Sequence, residues 1–395
     1  MNATNPGPAE VRSDVGACAV RPGGGHGRST GRKAFLAAVG LSLALVASGM
    51  PSAAAAQDPA MRCQSSHVPV SLADGLPAAE QVFVQLCLPA DRDPSTVQLL
   101  LHPVTTDHHY WDFPDPAGTD RYSYVSAAVQ RGYATLAIDR IGIGQSSHPP
   151  SQLVGMDQNV WVSHQLVQAL RAGRIAGPDG AVAFEKVIAV GHSIGAGATW
   201  LEASRYHDVD TVILSGFTHK FRYETSLTRG YPNLHPVTLD PEFGPLSYDP
   251  GYLTTRPGTR YQVFLDPGDV DPAVIARNEE LKQTVTTKEL NDFPATFGTP
   301  LDIRVPALIV LGDADPFFCG GLEGEDCSSV ASVIGSEAPK LGPQVPCVDA
   351  FLLPGGGHDI NLMRNAVLWF QAGLDWTDTH VGSGAGPAPG CPSHA

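Results

Sequence analysis

Ser193 stands in the stretch Val190-Gly-His-Ser-Ile-Gly-Ala-Gly197, a single hydroxyl surrounded mainly by glycine and alanine. Far downstream, Gly312-Asp-Ala-Asp315 offers two carboxylates, and Pro354-Gly-Gly-Gly-His358 offers an imidazole. A serine hydroxyl is a poor nucleophile until a base removes its proton. That base works well only when a third group fixes its tautomer and balances the charge it gains. These three residue types are therefore the set required for covalent acyl transfer, provided the fold brings them together.

The elements around them are arranged to do so. Ser193 lies directly after the β-branched run KVIAVG (186–191) and before GAGATWLEASRY, a helix-like stretch. A serine on a sharp strand-to-helix turn has strained backbone angles, and small neighbours let strand and helix approach closely. The helix N-terminus then points backbone N–H groups and a favourable dipole at the place where negative charge develops. The carboxylates follow the run ALIVLG (307–312), and the histidine follows DAFLLPG (349–355).

Other short apolar runs lie at VFVQLCL (82–88), VQLLLH (97–102), YATLAID (133–139) and DTVILSG (210–216). Helix-like stretches lie between several of them, as at 122–132 and 157–173. Continuous apolar strands alternating with amphipathic helices predict an α/β fold, a mostly parallel sheet with helices on both faces. The interval 217–305 breaks this rhythm. It is rich in Pro, Gly and Tyr, and its clearest helical segment is PAVIARNEELKQTV at 272–285. It reads as an insertion lying over the carboxyl edge of the sheet.

The Gly-x-Ser-x-Gly pattern of residues 191–195, in its strand–turn–helix setting, and the chain order Ser…Asp…His resemble the α/β-hydrolase superfamily from about residue 80 to 376. The resemblance implies an α/β-hydrolase fold with a lid inserted after the sixth strand. It also implies a Ser193–His358–Asp315 triad. In that family the acid commonly ends a G-x-x-D pattern, which favours Asp315, with Asp313 as the fallback; Asp359 is a weaker candidate. The oxyanion donors would be the N–H of Ile194 and one from the loop after LLLH. Where the family usually reads His-Gly, this chain reads His102-Pro103. Proline has no N–H, so the second donor is expected to be Val104, with Thr105 as the less favoured alternative.

Other motifs imply less. Thr106-Asp107-His108-His109 lacks the H-x-H-x-D-H spacing of a familiar metallohydrolase, so no metal site is expected. Tyr110 and Trp111 are expected in a wall or the core. AIDRIGIGQSSHP (137–149) resembles a structural loop of the same family, with Asp139 and Ser146 as anchors. It lacks the third glycine and following helix of a dinucleotide site, and no cofactor is expected.

Composition restricts the alternatives. A hydrophobic content of 43% over 395 residues suffices for a sizeable core. A net charge of −15 is the wrong sign for a nucleic-acid partner. Residues 1–56 carry Arg12, Arg21, Arg28, Arg32 and Lys33 ahead of the apolar run 34–47, and Ala54-Ala55-Ala56 fits an export-signal cleavage site. Gly31-Arg32-Lys33 resembles a twin-arginine signal with lysine in the second position. The run is short for a membrane span, so no stable membrane anchor is expected. Removal of the signal takes Cys18 and leaves six cysteines, an even number that suits disulfides in an exported chain. Nearness in sequence favours Cys63–Cys87 and Cys319–Cys327.

The expected organisation is an export signal (1–56), a core in two parts (57–216 and 306–380) around a lid (217–305), and a Gly/Pro-rich tail (381–395). The expected activity is that of a secreted serine hydrolase acting on a carboxylic ester, lactone or related acyl bond of a small substrate. The lid aromatics Phe217, Phe221, Tyr223, Tyr231, Phe243, Tyr248, Tyr252, Tyr261 and Phe264 point to an apolar or aromatic substrate. Aminopeptidase-like hydrolysis, non-hydrolytic chemistry on the same scaffold (a cofactor-free oxygenase, lyase or cyclase) and a binding role remain open alternatives.

Overall fold

The computed structural model describes residues 61–386 and 390–391. The export signal expected over 1–56 lies outside the described residues, as does part of the 381–395 tail. Six long strands come first: β1 (Arg62–Val70), β2 (Glu80–Leu88), β3 (Thr96–Leu101), β4 (Ala134–Ile138), β5 (Lys186–His192) and β6 (Thr211–Ser215). Three short ones follow within the insertion: β7 (Leu234–Pro236), β8 (Tyr252–Thr255) and β9 (Thr284–Thr286). The last two are β10 (Ala307–Gly312) and β11 (Val348–Leu353).

The principal sheet has eight strands in the order β1-β2-β4-β3-β5-β6-β10-β11. β2 runs antiparallel to β1 and β4, while β4, β3, β5, β6, β10 and β11 are parallel. The reason lies in the side chains. Along β5, Val187 and Ala189 enter one core while Ile188 and Val190 enter the other. Both faces are covered, so the strand needs no polar alternation. Helices α1 (Tyr124–Arg131), α2 (Met156–Arg171) and α3 (Ile194–Tyr206) follow β3, β4 and β5. The insertion supplies α4 (Pro272–Glu280) and α5 (Thr287–Thr296), and the closing part of the core supplies α6 (Val330–Glu337) and α7 (Ala366–His380).

Two elements depart from the sequence reading. β1, RCQSSHVPV, has no apolar run because it is an edge strand with one exposed side; its Cys63 stands opposite Cys87 of β2, to which it is disulfide-bonded. The helix expected over 272–285 stops at Glu280. Thr284, Val285 and Thr286 instead pair, in that order, with Thr254, Leu253 and Tyr252 of antiparallel β8. Three successive β-branched or threonine side chains favour strand once a partner is available.

The insertion is fastened to the core through buried charge. Arg140, from the loop after β4, pairs with Glu289 of α5, both side chains being 1% exposed. Asn159 of α2 donates to the same carboxylate at 3.1 Å. Two further disulfides are present, Cys319–Cys327 and Cys347–Cys391, the latter tying the segment before β11 to the tail. No helix among the described residues is long and apolar enough to cross a membrane.

Candidate active site

Ser193 occupies the turn between β5 and α3 with φ 54° and ψ −122°, a conformation that costs a non-glycine residue about 1–3 kcal/mol. The turn is held by the Ser193 N–H donating to Ser215 O at 2.8 Å. The neighbouring glycines are sterically required. A Cβ on Gly191 would sit 2.4 Å from Gly195 O, and one on Gly195 would sit 2.4 Å from Leu101 O and 2.7 Å from His102 O. The start of α3 is thus pressed against the end of β3, and Ser193 projects into a cavity.

The imidazole reaches the same cavity, with the carboxylate buried behind it, by a similar close approach. Gly312, at the end of β10, has room only for hydrogen, since a Cβ there would meet Gly356 O at 2.3 Å. The turn carrying Asp313–Asp315 therefore crosses directly under the loop carrying His358. His358 Nδ1 lies 2.7 Å from Asp315 Oδ2, and its Nε2 lies 2.9 Å from Ser193 Oγ. Asp315 is fully buried, and its Oδ1 accepts from the N–H groups of Phe317 and Phe318 at 2.8 and 3.3 Å. Asp313 plays another part: its Oδ1 accepts the Gly355 N–H at 2.7 Å and shapes the histidine loop.

Burial by itself would lower the His358 pKa. The charge and hydrogen bond of Asp315, aided by the charge of Asp359, outweigh it and raise the value above the ordinary 6.5. The insertion also holds this loop, because Phe264 O accepts from the N–H groups of His358 and Asp359 at 3.1 and 3.0 Å. No local sequence signal announced that link.

Ile194 and Val104 line the same cavity as Ser193. The N–H of each is free of hydrogen bonds to the described residues. The His102–Thr106 loop bearing Val104 is gripped from two sides. Arg140 Nε donates to His102 O at 3.0 Å. Arg260, from the insertion, donates through Nη1 to both O and Oγ1 of Thr105 at 2.9 Å. Thr105 itself adopts φ 53°, so its left-handed backbone is stabilised by that guanidinium.

The cavity measures about 630 Å³ including its mouth. Of the nine lid aromatics named from the sequence, Phe221, Tyr231 and Phe264 line it, joined by Phe293, Phe317 and Phe318. Phe217 packs under it against Trp200 and Phe318, while Phe243, Tyr248 and Tyr252 form a small core of their own. Phe317 and Phe318 were hidden from the sequence reading because their role comes from following the acid turn. A larger and more polar hollow of about 1160 Å³ lies around Asp112, Asp115 and Asp120, away from Ser193.

Asp107, His108 and His109 do cluster, and one nitrogen of each ring is engaged by a carboxylate: His109 Nδ1 lies 2.8 Å from Asp107 Oδ1, and His108 Nδ1 lies 2.6 Å from Asp139 Oδ1. Asp139 also accepts from Gln145 N at 2.8 Å, and Ser146 Oγ donates to Asp139 O at 2.6 Å, so both residues brace the loop after β4. Trp111 is buried against Tyr124 and Trp369, and Tyr110 stacks on His192.

Residues 98–368 match the model of the alpha/beta hydrolase family, and the chain belongs to that family. Its backbone is similar to that of a soluble variant of monoglyceride lipase from Saccharomyces cerevisiae, with TM-score 0.53, 14% identity, and coverage of 82% of this chain and 97% of that one. It is also similar to bromoperoxidase from Bacillus anthracis, with TM-score 0.50, 18% identity, and coverage of 80% and 100%. At these identities the likeness is one of fold. No protein of curated function matches the sequence.

Proposed function

We propose that this hydrolase is an exported serine enzyme that cleaves a carboxylic ester, lactone or related acyl bond through an acyl-enzyme on Ser193. The observation that carries this reading is the unbroken chain of contacts from Ser193 Oγ through His358 to Asp315, at 2.9 and 2.7 Å, at the floor of an apolar cavity. His358 takes the Ser193 proton as Oγ attacks the acyl carbon. The resulting oxyanion is received by the N–H groups of Ile194 and Val104. His358 then gives the proton to the leaving alcohol, and water repeats the sequence to free the acid. Asp315 keeps the Nδ1–H tautomer throughout and stabilises the imidazolium.

The aromatic and aliphatic lining favours a neutral, apolar or aromatic acyl group. Export is supported by the N-terminal sequence pattern and by three disulfides. The test is covalent trapping with a fluorophosphonate, together with turnover of a graded panel of esters and lactones. Labelling and turnover that both vanish in Ser193→Ala are the expected result. A folded wild-type protein that neither labels nor turns over any member of the panel would overturn the proposal. Because neutral imidazole is the active base and its pKa is raised, kcat/KM is expected to fall on the acid side at a pH above the ordinary imidazole value of 6.5.

A further inference from the structure

The two loops that carry Ser193 and His358 meet a second time, one residue away on each. His192 precedes the nucleophile and Asp359 follows the histidine, and both are buried, at 0% and 1% exposure. His192 Nε2 stands 3.7 Å from Asp359 Oδ1, within reach of the carboxylate's field though too far for a direct hydrogen bond. Among the described residues, His192 Nε2 and both Asp359 oxygens have no hydrogen-bond partner. A buried carboxylate with neither oxygen satisfied is strongly unfavourable to the fold, so stability alone gives no reason for an acid here.

The ring between them is well fixed. His192 Nδ1 lies 2.9 Å from the hydroxyl of Ser215, its register partner on β6. Tyr110 stacks on it, with centroids 4.8 Å apart and planes 24° from parallel. Burial keeps the His192 pKa below its ordinary value despite the nearby Asp359, so the ring is neutral at pH 7. The Ser215 hydroxyl has two acceptors in reach, His192 Nδ1 at 2.9 Å and Gly191 O at 3.0 Å; when its proton turns to Nδ1, the single proton of the neutral ring sits on Nε2, facing the Asp359 carboxylate. The charged and titratable groups around the two imidazoles are then Asp315, Asp359, the Tyr110 hydroxyl and the fully buried Arg260. Phe264, Phe317 and Phe318 complete the surroundings of His358 without charge.

We propose that Asp359 is a positioning residue: its carboxylate, facing His192 Nε2 across 3.7 Å, orients that ring by charge–dipole attraction, so that the residue before the nucleophile and the residue after the base are tied together and the Ser193–His358 contact is maintained through turnover. This rests on the reading given under Proposed function. The ring centroids of His192 and His358 are 5.0 Å apart, so the same carboxylate also adds negative potential at the catalytic imidazole.

The experiment compares Asp359→Asn, Asp359→Ser and Asp359→Glu with wild type, using ester turnover and fluorophosphonate labelling across pH. Asn and Ser are expected to lower kcat about tenfold at unchanged KM and to shift the acid limb of kcat/KM down by about half a unit, since a negative charge near His358 is lost. Glu should restore the position of that limb. A limb and labelling rate unchanged in both Asn and Ser, or a loss seen in KM alone, overturns the proposal. Should neither variant fold, His192→Asn cuts the link from the other side and is expected to lower kcat at unchanged KM; an unchanged kcat overturns it. Failure of the serine hydrolase reading is distinguishable, because it shows in wild type as absent labelling.

Discussion

The turn carrying Ser193 and the inserted segment are held by opposite means. At the turn, backbone meets backbone: Gly191, Gly195 and Gly312 each face a carbonyl at a distance where a Cβ has no room. In the insertion, the ties to the core run through long charged side chains, Arg140 to Glu289 and Arg260 to Thr105, all deeply buried. The first scheme positions atoms by hard contact and tolerates no added carbon. The second depends on satisfying buried guanidiniums, by the Glu289 carboxylate for Arg140 and by the neutral oxygens of Thr105 and Asn278 for Arg260, and removing a partner leaves a cation stranded in the interior. The two schemes meet at the His102–Thr106 loop, which lies against Gly195 on one side and both guanidiniums on the other.

The sharpest way to break this comparison is at the chemistry itself. Asp315→Asn should cut kcat by about 10⁴-fold through loss of the correct histidine tautomer. Asp313→Asn, which touches only the loop, should leave kcat within a few-fold; steady-state ester hydrolysis reads both, and the reverse pattern would transfer the role. Next, Glu289→Ala should destabilise the protein by about 3–5 kcal/mol in urea unfolding, because it strands Arg140. The double replacement Arg140→Met with Glu289→Leu should recover most of that loss, and failure to recover would mean the pair is more than a charge-balanced tie. Gly195→Ala should cost about 1–3 kcal/mol by overpacking against Leu101 and His102, with a fall in kcat as the Val104 N–H is displaced. Smallest of all, Arg131→Ala breaks a half-exposed pairing with Asp375 and Asp378 and should cost less than about 1 kcal/mol with no change in turnover.

Legibility in the sequence followed the same division. The fully buried strands β3, β4, β5, β6 and β10 were readable as continuous apolar runs because both sheet faces are covered. Residues 193, 315 and 358 could be named because small residues and turn chemistry mark sharp corners locally. Edge strand β1 could not, since its stability comes from β2 and a disulfide rather than from its own pattern. The end of α4 was missed because Thr284–Thr286 answers to a partner strand some thirty residues earlier. Arg140–Glu289 spans 149 positions, and nothing near either residue identifies the other. The Asp359–His192 approach was equally invisible, being a product of how two loops cross.

One feature of the cavity bears on how the cycle would end. Besides Tyr231, His358 is the only ionisable side chain among the described residues of its lining, which are otherwise aromatic, aliphatic or small and uncharged. A freshly released acid ionises at neutral pH and would then find no guanidinium or ammonium in that lining to retain it. Expulsion should be rapid, and added carboxylate product should inhibit weakly.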